Sequence, residues 1–231
     1  MKIESLKGYG VSVSDAESNW SPEFKAKIVK TSQKVIMNNL NFIQKIKVMF
    51  YFLLERKRAS RLDISDIRKR GMKNEKFLKQ QFDYLSLYSA VKKTVGKETA
   101  LSIMHKVMEA TAAEAMLNSL PDEEDIRKVG GPFEVFRQIF SLLPKTTKEA
   151  GDLEITISEN SDKAFQFDVH WCIWLELAKK MGVPEACIPN CYADEIAYPD
   201  YFKPMGVKYC RKGSLANGAK LCDFRFEKVG E

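Results

Sequence analysis

Histidine is scarce in this 231-residue chain, and no cysteine precedes Cys172. Of the two histidines, His105 lies among helix formers and reads as structural, which leaves His170 beside other reactive groups. The five cysteines, Cys172, Cys187, Cys191, Cys210 and Cys222, are an odd number and follow no apolar leader, which argues against a disulfide framework. No Cys-x-x-Cys pair, zinc-finger spacing or RNA-recognition motif occurs, and no glycine-rich phosphate loop, so a nucleotide is not expected. Long apolar runs are also missing. The longest, Val48 to Leu54, has charged Lys45, Lys47, Glu55 and Arg56 at its ends and is too short to cross a bilayer as a helix. The start, Met1 to Ser5, is polar and mixed in charge, so the expected location is the cytoplasm.

What is present is an ordinary globular composition with uneven charge. The net charge is +6. Residues 21–80 carry 16 lysines and arginines against 5 acids, whereas residues 151–231 carry 10 against 13. A basic half of this kind binds polyanions in some proteins. Here it is read as the solvated face of helices, with neither nucleic acid nor membrane favoured as a partner.

Residues 1–20 read as an irregular arm. Ser21-Pro22 is a helix opening, and Ile28, Val35, Ile36, Leu40, Ile43 and Ile46 recur at helical spacing. The run from Val48 to Arg58 continues that stripe or forms a second, core helix. Further helices are predicted over about 63–70, 74–91, 98–120 and 133–143, the last two closed by Pro121 and Pro144. Near Gly151 the period changes. Leu153 to Ile157 alternates as a strand, Asn160-Ser161-Asp162 turns, and Ala164 to Val169 is its hairpin partner. A helix follows from Trp171 to Met181, ended at Gly182. Pro189 argues against a continuous helix through Cys187 and Cys191, and Tyr198 to Phe202 reads as loop. Met205 to Cys210 and Lys220 to Phe226 are two more strands joined through Asn217-Gly218. The expectation is an α+β fold, with residues 1–150 mostly helical and 151–231 an α+β region in one integrated domain. The broad apolar faces, the run from Val48 above all, point to a homodimer.

Three constellations carry chemistry. Cys172 stands where a strand meets a helix, and a helix start favours a thiolate. His170, two residues earlier, is placed to act as a base or proton donor. Cys187 and Cys191 share a helical face with Asp194 three residues on. In the last strand Cys222, Phe224 and Phe226 face one side and Asp223 and Arg225 the other. Arg211 and Arg225 are candidate forks for a carboxylate. Each cysteine taken singly is as readily a small buried hydrophobe.

Taken in order, Cys172, Gly182-Val183-Pro184-Glu185, Cys191, Asp194, Arg211, Leu215-Ala216, Gly218 and Cys222-Asp223-Phe224-Arg225 resemble the C-terminal signature of the L-2-amino-thiazoline-4-carboxylic acid hydrolase family. The resemblance runs from Phe167 to Phe226. It departs from the family pattern around Cys172, flanked here by Trp171 and Ile173, and at Lys212-Gly213-Ser214. It implies hydrolysis of a cyclic C–N bond in a small carboxylate-bearing molecule. Cys172, Cys191, Cys222, Asp194, Asp223 and His170 are then candidate catalytic groups, and Arg211 and Arg225 candidate substrate clamps. No cofactor is required. A possible zinc ion would use Cys172, Cys191 and Cys222 and activate water. The competing readings are a small-molecule binding or sensing protein on the same scaffold, and a nucleic-acid or membrane-surface protein acting through the basic helical half. Between the thiols, the helix start puts Cys172 ahead as nucleophile, and Cys187 and Cys210 are expected to be bystanders.

Overall fold

The computed structural model describes residues 1–229. Side-chain caps start the first helices. Ser12 accepts from the Asp15 N–H at 3.2 Å and opens α1 (Val13–Ser18). Ser21 accepts from Phe24 N at 3.1 Å and opens α2 (Pro22–Asn38). Asn41 and Gln44 form a reciprocal capping box at 2.9 Å in both directions, starting α3 (Phe42–Ala59). The predicted single stripe through Leu40 and Ile46 is therefore two helices, because residues 39–41 satisfy a stop and a start between them. The N-terminal arm is not irregular throughout either, since it holds α1.

The helical region continues through α4 (Ser65–Lys69), α5 (Glu75–Val95), α6 (Lys97–Ser119), α7 (Glu123–Val129), α8 (Pro132–Phe140) and α9 (Leu143–Ala150). Pro144 does not close a helix. It lies in the first turn of α9, where no intrahelical N–H is needed. At Gly151 (φ +71°) an added Cβ would meet the backbone N of Met72 at 2.5 Å, so only glycine fits this crossing between the helical and sheet regions.

The α+β class holds. Strands β1 (Leu153–Asn160), β2 (Ala164–Cys172), β3 (Val207–Cys210) and β4 (Cys222–Lys228) form one antiparallel sheet in the order β1-β2-β4-β3. Two helices interrupt the strands, α10 (Ile173–Lys180) and α11 (Cys187–Phe202). The predicted loop from Tyr198 to Phe202 is helical, and so is the Cys187–Cys191 stretch. Pro189 is the third residue of α11, within the turn whose N–H groups have no partner.

Two cores result. One, around Ile36, Phe77, Tyr88, Met104 and Leu177, packs the helical region against α10. The other, around Phe133, Phe140, Phe165, Phe202 and Phe226, packs α8 and α11 on the sheet. Burying one such side chain contributes about 1.5–3 kcal/mol. The expectation of a core helix after Val48 is corrected. Only Val48, Glu55 and Ala59 of α3 are buried, on the side facing α5, and most of the large apolar residues are exposed. No helix among the described residues is long and apolar enough to cross a membrane.

Candidate active site

Antiparallel pairing brings distant residues to one end of the sheet. Val169 of β2 pairs with Cys222 of β4, so the end of β2, where Cys172 lies, is the start of β4. Cys210 of β3 pairs with Arg225, which puts Arg211 at the same end. Helix α11 supplies Cys187, Cys191 and Asp194 one turn apart. Tyr84 of α5 donates to the Ala186 carbonyl at 2.8 Å and ties the helical region to the start of α11.

Four of the five thiols influence one another there. Cys172 and Cys191 both act on Cys187 and, with burial, hold it as a thiol, well above the usual range. Cys191 moves the other way. The Cys187 thiol lowers its pKa most, the Arg211 charge and the Ser214 hydroxyl lower it further, and burial and Asp194 oppose them. Cys222 is buried, which pushes it up to about 12, and its sulfur accepts from Leu215 N at 3.2 Å. Cys187 thus lies among the interacting thiols. The thiolate is favoured at Cys191 by neighbouring donors. Cys172 is the residue before α10, and its side chain makes no capping hydrogen bond.

Arg211 organises the polar side. Its side chain is 1 % exposed and donates to Asp194 and to Glu195, both at 2.8 Å, and to the Cys191 carbonyl. Burial raises Asp194 to about 6 even so, outweighing the pull of an arginine shared among three acceptors. The Nε of Arg211 and the hydroxyl of Tyr209 are buried without a hydrogen-bond partner among the described residues. Each such orphan costs about 1–3 kcal/mol. Asp223 acts from behind. It accepts from Lys212 N at 3.0 Å and Gly213 N at 2.7 Å, and so shapes the turn that carries Arg211 and Ser214. Any Cβ at Gly213 would crowd Ala219 at 2.9 Å.

Two candidates stand apart. His170 is exposed, and its Nε2 lies 2.8 Å from the Thr156 hydroxyl. A bulge between the paired residues Trp171 and Val169 leaves it outside the ladder. Arg225 lies on the outward face of β4, paired with Glu159 at 2.5 Å and Glu227 at 2.8 Å. Among the described residues, no group of three or more histidine, cysteine, aspartate or glutamate side chains is arranged to hold a metal ion.

Sequence reasoning missed Glu17. Asn74, the cap of α5, donates to Asp15 at 2.7 Å and to Ser18 at 2.9 Å, and Asp152 accepts from Ser14 N at 2.9 Å. These bonds pin α1 so that Glu17 meets Gln81, which donates at 3.2 Å, and Trp174. Burial first, then repulsion from Asp152 and Asp194, raise Glu17 to about 8. A lone glutamate in an arm without a motif carried no signal of this. The folded chain holds this proton between about pH 4.5 and 8 while the unfolded chain releases it, so stability falls as pH rises through that window. In Glu17→Gln that slope is expected to disappear. The variant should gain about 2–3 kcal/mol on the parent as pH rises from 5 to 8, read by urea unfolding.

Fold and site together define an α+β protein with a part-buried thiol and carboxylate centre organised by one buried arginine. The L-2-amino-thiazoline-4-carboxylic acid hydrolase family matches over residues 76–226, and the chain belongs to that family. The match runs from α5 to β4 and leaves α1 to α4 outside it. No curated protein and no solved structure matches the chain.

Proposed function

We propose that this protein hydrolyses a ring C–N bond of a small cyclic amidine-like acid of the 2-aminothiazoline carboxylate type, with Cys191 as nucleophile. The observation that carries the reading is the environment of Cys191, where Cys187, Ser214 and Arg211 all favour the thiolate. The family name denotes hydrolysis of such a molecule. In the first step the Cys191 sulfur adds to the amidine carbon. The ring C–N bond breaks, and its electron pair leaves with the nitrogen, which takes a proton. Asp194 and Glu17, two carboxyls that disfavour each other's charge, hold that proton near neutral pH. In the second step water adds to the same carbon, the Cys191 thiolate leaves, and the carboxyl pair recovers its proton. The terminal nitrogens of Arg211 are committed to Asp194, Glu195 and the Cys191 carbonyl. Its orphan Nε is the donor left for a substrate carboxylate or amidine-derived oxygen.

The free thiols suit a reducing cytoplasm. The test is incubation of the purified protein with a 2-aminothiazoline carboxylic acid in ¹⁸O-water, followed by mass spectrometry. One labelled oxygen in a ring-opened product is expected, with turnover unaffected by chelators and less than about 0.1 zinc ion per chain. Tight binding without turnover would favour the sensing reading. About one zinc ion per chain, with activity lost on chelation, would transfer the chemistry to a metal held by cysteines.

The rate should follow a bell in pH. It rises as Cys191 ionises and falls above about 8 as the carboxyl pair loses its proton. In Glu17→Gln the alkaline limb is expected to move or vanish, with kcat reduced about 10²-fold. An unchanged limb would remove Glu17 from the reaction.

A further inference from the structure

Helix α3 carries a second feature that the catalytic reading does not use, and it lies outside the family match. Phe42, Ile43, Ile46, Met49, Phe50, Leu53 and Leu54 are 48–76 % exposed. At about 100° per residue they fall within an arc of about 140°, opposite the side where Val48, Glu55 and Ala59 pack toward α5. No polar side chain interrupts the arc between Phe42 and Leu54. The charged side chains of α3 that border it are all basic, and Arg56 among them is paired with Asp83 of α5 at 2.8 Å. Lys47 and Arg58 border one edge and Lys45 and Arg56 the other, with Lys57 and Arg61 at the C-terminal end. The only acid of the helix, Glu55, is buried and paired with Lys93 and Arg58. Lys45, Lys47, Lys57 and Arg61 have no ion-pair partner among the described residues.

We infer that α3 is a docking face for an anionic lipid surface, lying in the plane of the membrane with its apolar arc in the headgroup and acyl boundary. Charge complementarity selects this occupant. A second copy of the chain would bring the same unpaired cations against its own, since both ends of α3 are basic. A protein partner would need hydrogen-bonding groups on the face for orientation, about one per 100–200 Å², and the arc has none. A bilayer needs only apolar depth and negative charge. Lysine and arginine stems lie along such a face while their heads reach lipid phosphates. The expected self-association through this run of sequence thereby becomes the competing outcome.

The experiment is flotation of the full chain with two kinds of vesicle, at low and physiological salt. One kind is phosphatidylcholine alone, and in the other about one lipid in three is phosphatidylserine. Binding to the anionic vesicles is expected to exceed that to neutral ones by at least about 10-fold and to weaken with salt. Phe50→Asp with Leu53→Asp should abolish it, and Lys47→Glu with Lys57→Glu should reduce it by about 10-fold or more. The altered side chains are solvent-exposed, so circular dichroism and the melting temperature should match the parent, which keeps loss of binding separate from loss of fold. Absence of binding at millimolar lipid would overturn the inference. So would binding that survives both aspartates. A dimer in light scattering that the aspartates dissociate, with no vesicle binding, would assign the face to a second copy instead.

Discussion

Cys191→Ser is expected to lower turnover by about 10³-fold or more while the protein still folds. A serine hydroxyl is close to the thiol in size, but near neutral pH it offers no anion for attack on an amidine carbon. Cys191 sits where three neighbours stabilise that anion, so the loss should fall on kcat rather than on substrate affinity. The neighbours grade the effect. Cys187→Ala removes the largest of the stabilising contacts and should shift the acidic limb of the pH profile upward, with a smaller loss. Cys210→Ser should be close to the parent. If Cys172→Ser instead abolishes turnover and Cys191→Ser does not, the roles on the two elements are exchanged.

Arg211→Met is expected to cost about 3 kcal/mol of stability at pH 8, because it strips the buried cation from a half-buried carboxylate. The penalty carries its own pH signature. Asp194 titrates near 6 in the folded chain, so below that value it is protonated and needs no cation. The destabilisation should therefore shrink toward pH 5. Asp194→Asn added to Arg211→Met should recover part of the loss at pH 8, and chemical denaturation of the two variants across pH measures this directly. Equal destabilisation at both pH values would mean that Arg211 acts through packing on Phe224, whose ring lies 5.1 Å from the guanidinium, and not through charge.

Much of the fold was legible because local signals and tertiary demands agree in it. Ser21-Pro22 starts a helix in isolation and starts one here. The alternation of Leu153 to Ile157 and the inward side of β4 followed the period of two, with Cys222 and Phe226 buried and Arg225 in an outer ion-pair network. What failed were breaks whose meaning depends on position. Pro189 and Pro144 look like helix breakers, yet each occupies a first turn, where it disrupts nothing. Val48 to Leu54 reads as core because hydrophobicity does not tell which side of a helix finds a neighbour. At the site, the family-like order of Cys191, Asp194 and Arg211 pointed to residues that the fold brings into contact. Glu17 was invisible because Asn74 and Asp152 place it, and both are far from it in sequence. The ranking of the thiols also escaped, since it depends on which donors surround each sulfur.

If Cys191 is the nucleophile, carbon from the substrate becomes bonded to its sulfur during turnover. Acid quenching of the protein with substrate during the first turnovers, followed by peptide mass spectrometry, tests this most directly. The expected result is a substrate-derived mass on the peptide containing Cys191, absent in Cys191→Ser, together with protection of Cys191 from iodoacetamide by substrate. Turnover that proceeds at the parent rate in Cys191→Ser, with any adduct on another thiol or on none, would contradict it.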